Sequence, residues 1–358
     1  MKNILFSILF VFVWTGLKAQ NYDLILGGTI SDVELYTKYY LAPLERGLGH
    51  ADAAGMINFT SSKHKIAITL GMDLSVALTP SDQRSFDVNA IGLQLMEASD
   101  PANSMAQSIT GSAESIGLQT KQTYYRPTIY YPFYEEVPLS EFDSPEGSGY
   151  SFVPLPRFSA GLYGYGSHIN FWFLPTVHPA DDISFGSYGF SLQHNLSTFI
   201  KTMEKWPVQL AIAGGYHYSK MTDKLSIEPD ETKIGLELSP DNGPYDNQEA
   251  LVEVSSVPLQ LIVYRDFNGL TVFGGPGYTF TSSDFALTGN YPIYVKNTTN
   301  NFKINVKDVV DPFAYSRSDN SFRFDIGLNY QIGFVKIKAS YTIAKYQTFY
   351  FGLGFVIL

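Results

Sequence analysis

The sequence predicts an all-β fold: a transmembrane antiparallel β-barrel of about 12–14 strands with a short N-terminal helical plug or arm. Three observations predict this class. From residue 322 onwards, apolar and polar side chains alternate with a period of two. Charged residues make up 16% of the chain and aromatic residues 15%, whereas soluble domains are about 25% charged. A candidate export signal is followed by no segment apolar enough for a membrane helix.

The alternating C-terminal segment divides into three strands. Side chains alternate across a strand, so each segment has one apolar face and one polar or small face. The apolar faces are long and aromatic, which favours a wall that faces lipid. They consist of Phe322, Phe324, Ile326, Leu328, Tyr330 and Ile332; Val335, Ile337, Ala339, Tyr341 and Ile343; and Phe349, Phe351, Leu353, Phe355 and Ile357.

Pairing of these strands tests the assignment, because apolar residues must oppose apolar ones across a ladder. A turn centred on Ile332 and Gly333 places Asn329 opposite Lys336. In the last hairpin, apolar residues oppose apolar residues only if the loop contains an odd number of residues. We expect that loop at residues 346–348, which places Tyr341 opposite Leu353.

The first residues predict a secretory signal peptide at 1–19. A basic start is followed by the apolar run 4–14 and by Ala19 before the expected cleavage site. No cysteine follows, which excludes a lipoprotein anchor. Export without a membrane helix leaves the periplasm, the outer membrane or the exterior, and the strand pattern favours the bacterial outer membrane.

Residues 20–63 form an N-terminal helix and a plug-like segment in this prediction. The sequence 31–34 is a capping box that starts a helix, and Pro43 ends that helix after about Ala42. Small residues follow, and a segment of this kind fits a confined space. A plug inside the barrel and a periplasmic arm both remain open. The plug-like residues are Gly47, Gly49, Asp52 and Gly55.

Residues 64–358 form the predicted barrel. Its first strand spans 66–78, and the C-terminal segment supplies three more. Other strands are predicted near 86–96, 157–165, 167–175, 184–194, 207–219, 248–264 and 269–281. That makes eleven, and because bacterial barrels have even strand numbers we expect at least one more. Long loops are predicted at 97–155, 220–247 and 283–318, the last with a hairpin beyond the wall.

Charged and polar residues on the inward faces are the candidate lumen residues. One interpretation is a mutually neutralised network that packs against a plug, and the other is a polar path or ligand contact. The candidates are Asp73, Arg323, Asp325, Asn329, Lys336 and Lys338.

The sequence offers little for other functions. His194 with Ser191, or His217 with Ser219, lacks a third orienting group, so we predict no catalytic residue and no enzyme. We predict no metal site and no cofactor. The net charge of −10 argues against binding nucleic acid through its phosphates.

Four short motifs resemble a family of uncharacterised Bacteroidota outer-membrane barrels, distantly similar to the long-chain fatty-acid transporter superfamily. They are GLGHADAAG at 47–55, GFSLQHN at 189–195, FGGPGY at 273–278 and FGLGF at 351–355. The transporter family has Asn-Pro-Ala where this chain has Asn58-Phe59-Thr60. The resemblance implies a barrel with an N-terminal plug that passes hydrophobic small molecules.

The sequence therefore predicts a channel or transporter for small hydrophobic molecules. The alternative is a non-transporting structural or interaction barrel whose acidic loops bind a surface or secretion partner. A third possibility is a lipid-modifying enzyme, which would depend on His194. Expected partners are outer-membrane lipid, a hydrophobic small-molecule ligand and the barrel-insertion machinery.

Overall fold

The computed structural model describes residues 24–27, 29–59, 66–128, 133–198 and 206–357. The predicted signal peptide lies outside these residues. No helix among them is long and apolar enough to cross a membrane.

Ten antiparallel strands close into a barrel, which confirms the predicted fold class. The strands are β1 (Ile66–Leu78), β2 (Phe152–Gly164), β3 (Ser167–Val177), β4 (Ile183–Asn195), β5 (Gln209–Lys224), β6 (Glu249–Phe267), β7 (Leu270–Thr288), β8 (Phe313–Ile332), β9 (Val335–Ile343) and β10 (Thr348–Ile357). Each strand pairs with its neighbour in the chain. The last strand closes on the first, with Leu70 opposite Phe355.

The expected strand number of about 12–14 is wrong. The segment 86–96 contributes no barrel strand, because its backbone forms only the ends of two three-residue strands, Ser85–Asp87 and Met96–Ala98, outside the wall. Without it the predicted set has ten members. The number is already even, so no strand was missing.

The connections at the two ends of the barrel differ in length. Two-residue turns at 165–166, 268–269 and 333–334 and the connection 196–208 lie at one end, which we call the turn end. Tyr165, Gly166, Asn268 and Gly269 have positive φ, as tight hairpins with this twist require. The opposite end, the loop end, carries the long connections 79–151, 225–248 and 289–312. We call these three connections the head.

Both C-terminal hairpins keep the predicted faces but not the predicted registers. Asn329 pairs with Lys338 rather than Lys336, because Gly333, with φ of 57°, starts the turn one residue later. Tyr341 pairs with Phe349 rather than Leu353. Tyr346 is fully buried and its hydroxyl donates to Gln83 at 2.6 Å, which holds the turn nearer to β9.

The head contains short strands that the sequence did not reveal. They form the pairs Ser85–Asp87 with Met105–Gln107 and Thr123–Pro127 with Tyr134–Pro138, and a sheet of Met96–Ala98, Gly117–Thr120 and Glu141–Asp143. The predicted hairpin beyond the wall is present as Asn290–Lys296 and Ile304–Val310. A short third strand, Leu236–Glu237, pairs in parallel with Ile304–Val310. Single 3-10 turns occur at Ser81–Gln83 and Leu196–Thr198.

A 24-residue helix, Ile30–Ala53, occupies the barrel after a short helix at Leu24–Gly27. We call it the central helix. Its N-cap is Thr29, whose hydroxyl accepts from the Asp32 N–H at 3.3 Å, so the predicted capping box starts two residues too late. Asp32 instead accepts from three head N–H groups, those of residues 94–96.

The central helix continues ten residues beyond Pro43, which contradicts the predicted end near Ala42. Proline removes one helical hydrogen bond. The surrounding protein compensates, because the Tyr40 hydroxyl donates to the Glu146 carbonyl at 2.8 Å and Arg46 donates to Gln83 at 2.9 Å. The helix is therefore stabilised by tertiary packing.

Candidate functional site

The barrel wall presents an apolar exterior and a polar interior. On β1, Leu70 and Met72 are about half exposed on the outer face, whereas Thr69 and Asp73 are buried on the inner face. The other strands follow the same alternation. All six predicted lumen residues lie on the inner face and are at most 5% exposed.

Asp73 is the centre of one buried cluster. Its carboxylate lies 2.7 Å from the Lys338 ammonium and accepts hydrogen bonds from the Tyr350 hydroxyl at 2.7 Å and the Trp172 indole N–H at 3.2 Å. Lys338 and Tyr350 reach it across Gly352, which has no side chain in the way. The predicted lumen residues Asp73 and Lys338 therefore form an ion pair.

Arg323 and Asp325 form a second pair on the same strand. The guanidinium donates to both carboxylate oxygens, at 2.8 and 2.7 Å. The Gln260 amide donates to Asp325 at 2.6 Å, and Thr342 also donates to this carboxylate. Such a bidentate geometry holds both side chains rigidly.

Two arginines cap the C-terminal end of the central helix. Arg157 donates to the carbonyls of residues 51, 52 and 54 at 3.4, 3.0 and 3.1 Å. Arg323 donates to the Ala53 carbonyl at 2.8 Å. The end of a helix carries unpaired carbonyls and partial negative charge, so guanidinium groups stabilise it there. Sequence reasoning missed Arg157, although its parity on the predicted strand 157–165 placed it on the inner face.

The plug-like residues lie inside the barrel. The Asp52 carboxylate accepts from Ser219 at 2.8 Å and Ser187 at 3.4 Å, and lies 3.7 Å from Arg157. A β-carbon at Gly49 would stand 2.4 Å from the Thr281 methyl group, and one at Gly47 would stand 2.5 Å from Val153.

Gly55 ends the helical region with φ of 76°, against the ring of Tyr350. A β-carbon there would overlap that ring, so both the backbone conformation and the space require glycine. The segment after Gly55 continues towards the turn end. The Met56 carbonyl accepts from Ser191 at 3.4 Å, and the Asn58 N–H donates to Gln193 at 2.9 Å.

At the turn end, the Lys336 ammonium donates to the Asn58 side-chain oxygen. The ring of Phe59 packs on Tyr264 and Phe273, with centroids 4.2 and 5.8 Å away. Asn329, with its amide oriented by the hydrogen-bond network, accepts from the Phe59 N–H at 2.9 Å. The N-terminal segment thus contacts the wall at the turn end.

At the loop end, Glu45 of the central helix contacts three wall side chains. It accepts from the Tyr315 hydroxyl at 2.7 Å and the Ser283 hydroxyl at 3.3 Å, and pairs with Arg317 at 3.3 Å. The described residues therefore run from the head, where Leu24–Gly27 packs, along the central helix through the lumen to Phe59 at the turn end.

A small apolar cavity lies beside the central helix at the loop end. Its volume is about 30 Å³, room for about two water molecules. The lining includes Leu24, Tyr36, Leu41, Met221, Val252 and Phe285. It is too small for a lipid or another multi-atom ligand in this conformation.

The two serine–histidine pairs considered for catalysis form contacts with other residues. His194 contacts Ser167 at 2.8 Å, whereas Ser191 faces inward and donates to the Met56 carbonyl. His217 lies 3.4 Å from Arg157, and Ser219 donates to Asp52. Neither pair has the nucleophile and base in contact. Within the described ranges, no group of three or more His, Cys, Asp or Glu side chains could hold a metal ion.

Comparison with known proteins identifies a family. Residues 1–357 match the family described as "Family of unknown function (DUF6588)". The chain belongs to DUF6588. No curated protein matches this chain significantly. The family match does not test the predicted relation to the fatty-acid transporter superfamily or the predicted Bacteroidota origin. Both stay predictions.

Several solved structures are weakly similar to this DUF6588 chain. Ail, the attachment invasion locus protein of Yersinia pestis, is 10% identical with a TM-score of 0.25, covering 82% of this chain and 97% of Ail. The Escherichia coli transporter YddB is 10% identical with a TM-score of 0.23, covering 76% and 39%. The Pseudomonas putida toluene transporter TodX is 8% identical with a TM-score of 0.13, covering 82% and 89%. Scores this low carry no conclusion about function.

Proposed function

We propose that this chain is an outer-membrane barrel, closed by its own N-terminal segment, that engages a partner at the cell surface through its head. The observation that carries the proposal is the central helix, which fills the lumen and is bound to the wall by buried ion pairs. A barrel of this kind anchors and presents the head.

The membrane location is supported by the reversal of polarity across the wall. A soluble barrel buries its apolar side chains, whereas this one exposes them around its circumference and buries charged ones. Exposed aromatic rings include Phe171 and Phe173 on β3, Phe190 on β4 and Phe351 on β10. Lipid is the environment in which such a surface is stable. Outer-membrane lipid and the barrel-insertion machinery are the partners that this location requires.

The closed lumen is supported by its packing. A barrel of about eleven strands can enclose a single helix without leaving a channel, and this one has ten. The inward side chains of Arg157 and Arg323 bond to the helix, and Asp73 bonds to Lys338, Tyr350 and Trp172 of the wall. A path for solutes would require the N-terminal segment to leave.

The head offers a surface for a partner. The hairpin formed by Thr123–Pro127 and Tyr134–Pro138 lies against the loop before Ile304–Val310, since the Tyr125 N–H donates to the Asn301 carbonyl at 2.9 Å. Phe133 is 68% exposed there. The apex patch consists of Tyr125, Phe133, Tyr134 and Phe302, all exposed. Exposed clusters of Tyr and Phe are typical of protein interfaces, so we propose a protein partner.

Two measurements test this function. Purified wild-type protein in planar bilayers should show no steady conductance, and a lasting open channel would contradict the closed barrel. A photo-crosslinking residue at Phe133 should form a protein adduct on intact cells, which Phe302→Ser should reduce. The same residue at Asp100, an exposed head position outside the patch, is the control. Equal adducts at both positions would contradict a specific interface.

A second function, the passage of small hydrophobic molecules, would require the small apolar cavity to enlarge. It lies where the short helix Leu24–Gly27 meets the central helix, so movement of the short helix would enlarge it. Native mass spectrometry of detergent-purified protein would test this. A released apolar small molecule supports transport, and an empty barrel supports the surface-interaction function.

A further inference from the structure

One lysine inside the barrel differs from the other buried cations. In the described part of the chain, the lysine and arginine side chains that are at most 5% exposed are Arg157, Arg323, Lys336 and Lys338. Arg157, Arg323 and Lys338 each lie within ion-pair distance of an aspartate. Among the residues that the structure describes, Lys336 has no carboxylate within that distance.

The environment of Lys336 suits a nucleophile. An ammonium group buried without a counter-ion is costly, and the neutral amine avoids that cost. Lys336 is 2% exposed, and within the described ranges its hydrogen-bond partner is the side-chain oxygen of Asn58. A neutral lysine amine carries an electron pair that can attack a carbonyl carbon. The group that it contacts is a carboxamide, which contains such a carbon.

The Asn58 side chain is held in one orientation. Its amide nitrogen lies 3.3 Å from His168 Nε2. Because an amide nitrogen only donates, Nε2 accepts from it, and the carbonyl oxygen is directed at Lys336. The backbone N–H of Asn58 donates to the Gln193 side chain at 2.9 Å. The amine and the carboxamide are therefore kept in contact in the folded chain.

Burial and proximity both favour a reaction between these two side chains. Lys336, Asn58 and His168 are each at most 3% exposed, so bulk water does not compete with the amine for the carbonyl carbon. Two groups held in alignment react as if one were present at about 10⁵–10⁸ M. Each chain needs to react only once, so even a slow reaction can run to completion.

We propose that Lys336 and Asn58 form an intramolecular isopeptide bond, a modification that goes beyond the proposed function. The Nζ electron pair forms a bond to the side-chain carbonyl carbon of Asn58, and the bond from that carbon to the amide nitrogen breaks. One proton passes from Nζ to the departing nitrogen, which leaves as ammonia, so no oxidant or other co-reactant is consumed. The product is a neutral secondary amide that fastens the N-terminal segment covalently to β9.

Mass spectrometry of the denatured wild-type protein tests the bond without any variant. The intact chain should be lighter than its sequence by the mass of one ammonia molecule. Tryptic digestion should yield one branched peptide that joins residues 47–63 to residues 324–338, because a modified Lys336 resists cleavage. A chain of full mass, or a mass loss without the branched peptide, would overturn the proposal.

Lys336→Arg separates the chemistry from the charge, because a guanidinium group stays protonated and has no electron pair to attack with. This variant should have its full mass and no branched peptide. Lys303→Arg, which changes a lysine of the head paired with Glu237, is the matched control and should keep the mass loss. A mass loss that persists in Lys336→Arg would also overturn the proposal.

His168 is a positioning residue in this reaction, because it orients the Asn58 amide and does not react itself. His168→Gln keeps a hydrogen-bond acceptor on this side chain, whereas His168→Leu removes it. In protein sampled soon after synthesis, the linked fraction should be lower in His168→Leu than in wild type and should be restored in His168→Gln. Equal linked fractions in His168→Leu and wild type would overturn this role of His168.

Discussion

Asp73 illustrates how single residues hold the wall together. Lys338 on β9, Tyr350 on β10 and Trp172 on β3 all bond to this carboxylate on β1. Loss of one partner of a buried ion pair is more costly than loss of both, because the remaining charge stays buried without compensation.

Asp73→Ala should therefore lower the free energy of unfolding by about 3–5 kcal/mol, because Lys338 keeps its charge in a buried position. Urea titration in detergent, followed by far-ultraviolet circular dichroism, measures the change. Asp284→Ala on the outer face is the control and should change the value by less than about 0.5 kcal/mol.

The double variant Asp73→Ala with Lys338→Met separates charge from packing. It should recover much of the stability lost in Asp73→Ala, because no unpaired ammonium remains. If the double variant is less stable than Asp73→Ala, the ion pair is not the source of the effect.

The parity of each residue along a strand was sufficient to place the lumen side chains. It assigned Lys336 and Lys338 to the inner face without any knowledge of the fold. It could not distinguish their environments, because pairing depends on register and on the central helix. Lys338 meets Asp73, whereas Lys336, two residues earlier, donates to the Asn58 side-chain oxygen.

At the scale of elements, strands of the wall were predictable and the head was not. The predicted parts of β7 and β8, 269–281 and 322–332, alternate apolar and polar residues, so their signal is strong. The remaining parts of these strands lie at the loop end, where the alternation of polarity does not continue, and they were wrongly assigned to the predicted loop 283–318. Head strands of three to five residues contain too few alternating positions for the two-residue pattern to be detected in the sequence. The length of the central helix was underestimated because Pro43 is a local signal, whereas the contacts that override it are distant in sequence.

Asp308 shows what holds the head elements in place. It lies on Ile304–Val310 and accepts from the Gly243 N–H at 2.7 Å, the Asn242 amide at 2.8 Å and the Tyr245 hydroxyl at 3.0 Å. Partial burial alone would raise the pKa of this carboxyl, but these hydrogen bonds outweigh it and lower the pKa. The carboxylate thus joins the hairpin to the connection 225–248.

Acid should loosen this part of the head. Because the folded pKa of Asp308 is depressed, its stabilisation is complete above the unfolded pKa, near about 4, and is lost as the pH falls through the folded value. The protection factors of amide hydrogen exchange in residues 240–248, which are corrected for the intrinsic pH dependence of exchange, should fall below about pH 4. In Asp308→Asn exchange should already be faster at neutral pH and respond less to acid. An unchanged acid response in that variant would assign the effect to other groups.

At the scale of the whole molecule, the even number of strands determines that the wall starts and ends at the same end of the barrel. With an even number of strands, the start of β1 and the end of β10 lie together at the turn end. Outer-membrane barrels have short periplasmic turns and long extracellular loops. For the proposed outer-membrane location we therefore expect the head to face outward and the N-terminal segment to run from the head to the periplasmic turn end.

Cysteine labelling tests the orientation without ambiguity, since the chain contains no cysteine. Asp241→Cys in the head and Tyr165→Cys in a two-residue turn both replace exposed residues. A membrane-impermeant maleimide on intact cells should label Asp241→Cys and should label Tyr165→Cys only after lysis. The lysed sample is the control for intrinsic reactivity. Labelling of Tyr165→Cys alone on intact cells would place the head in the periplasm, and its aromatic apex could then engage only a periplasmic partner.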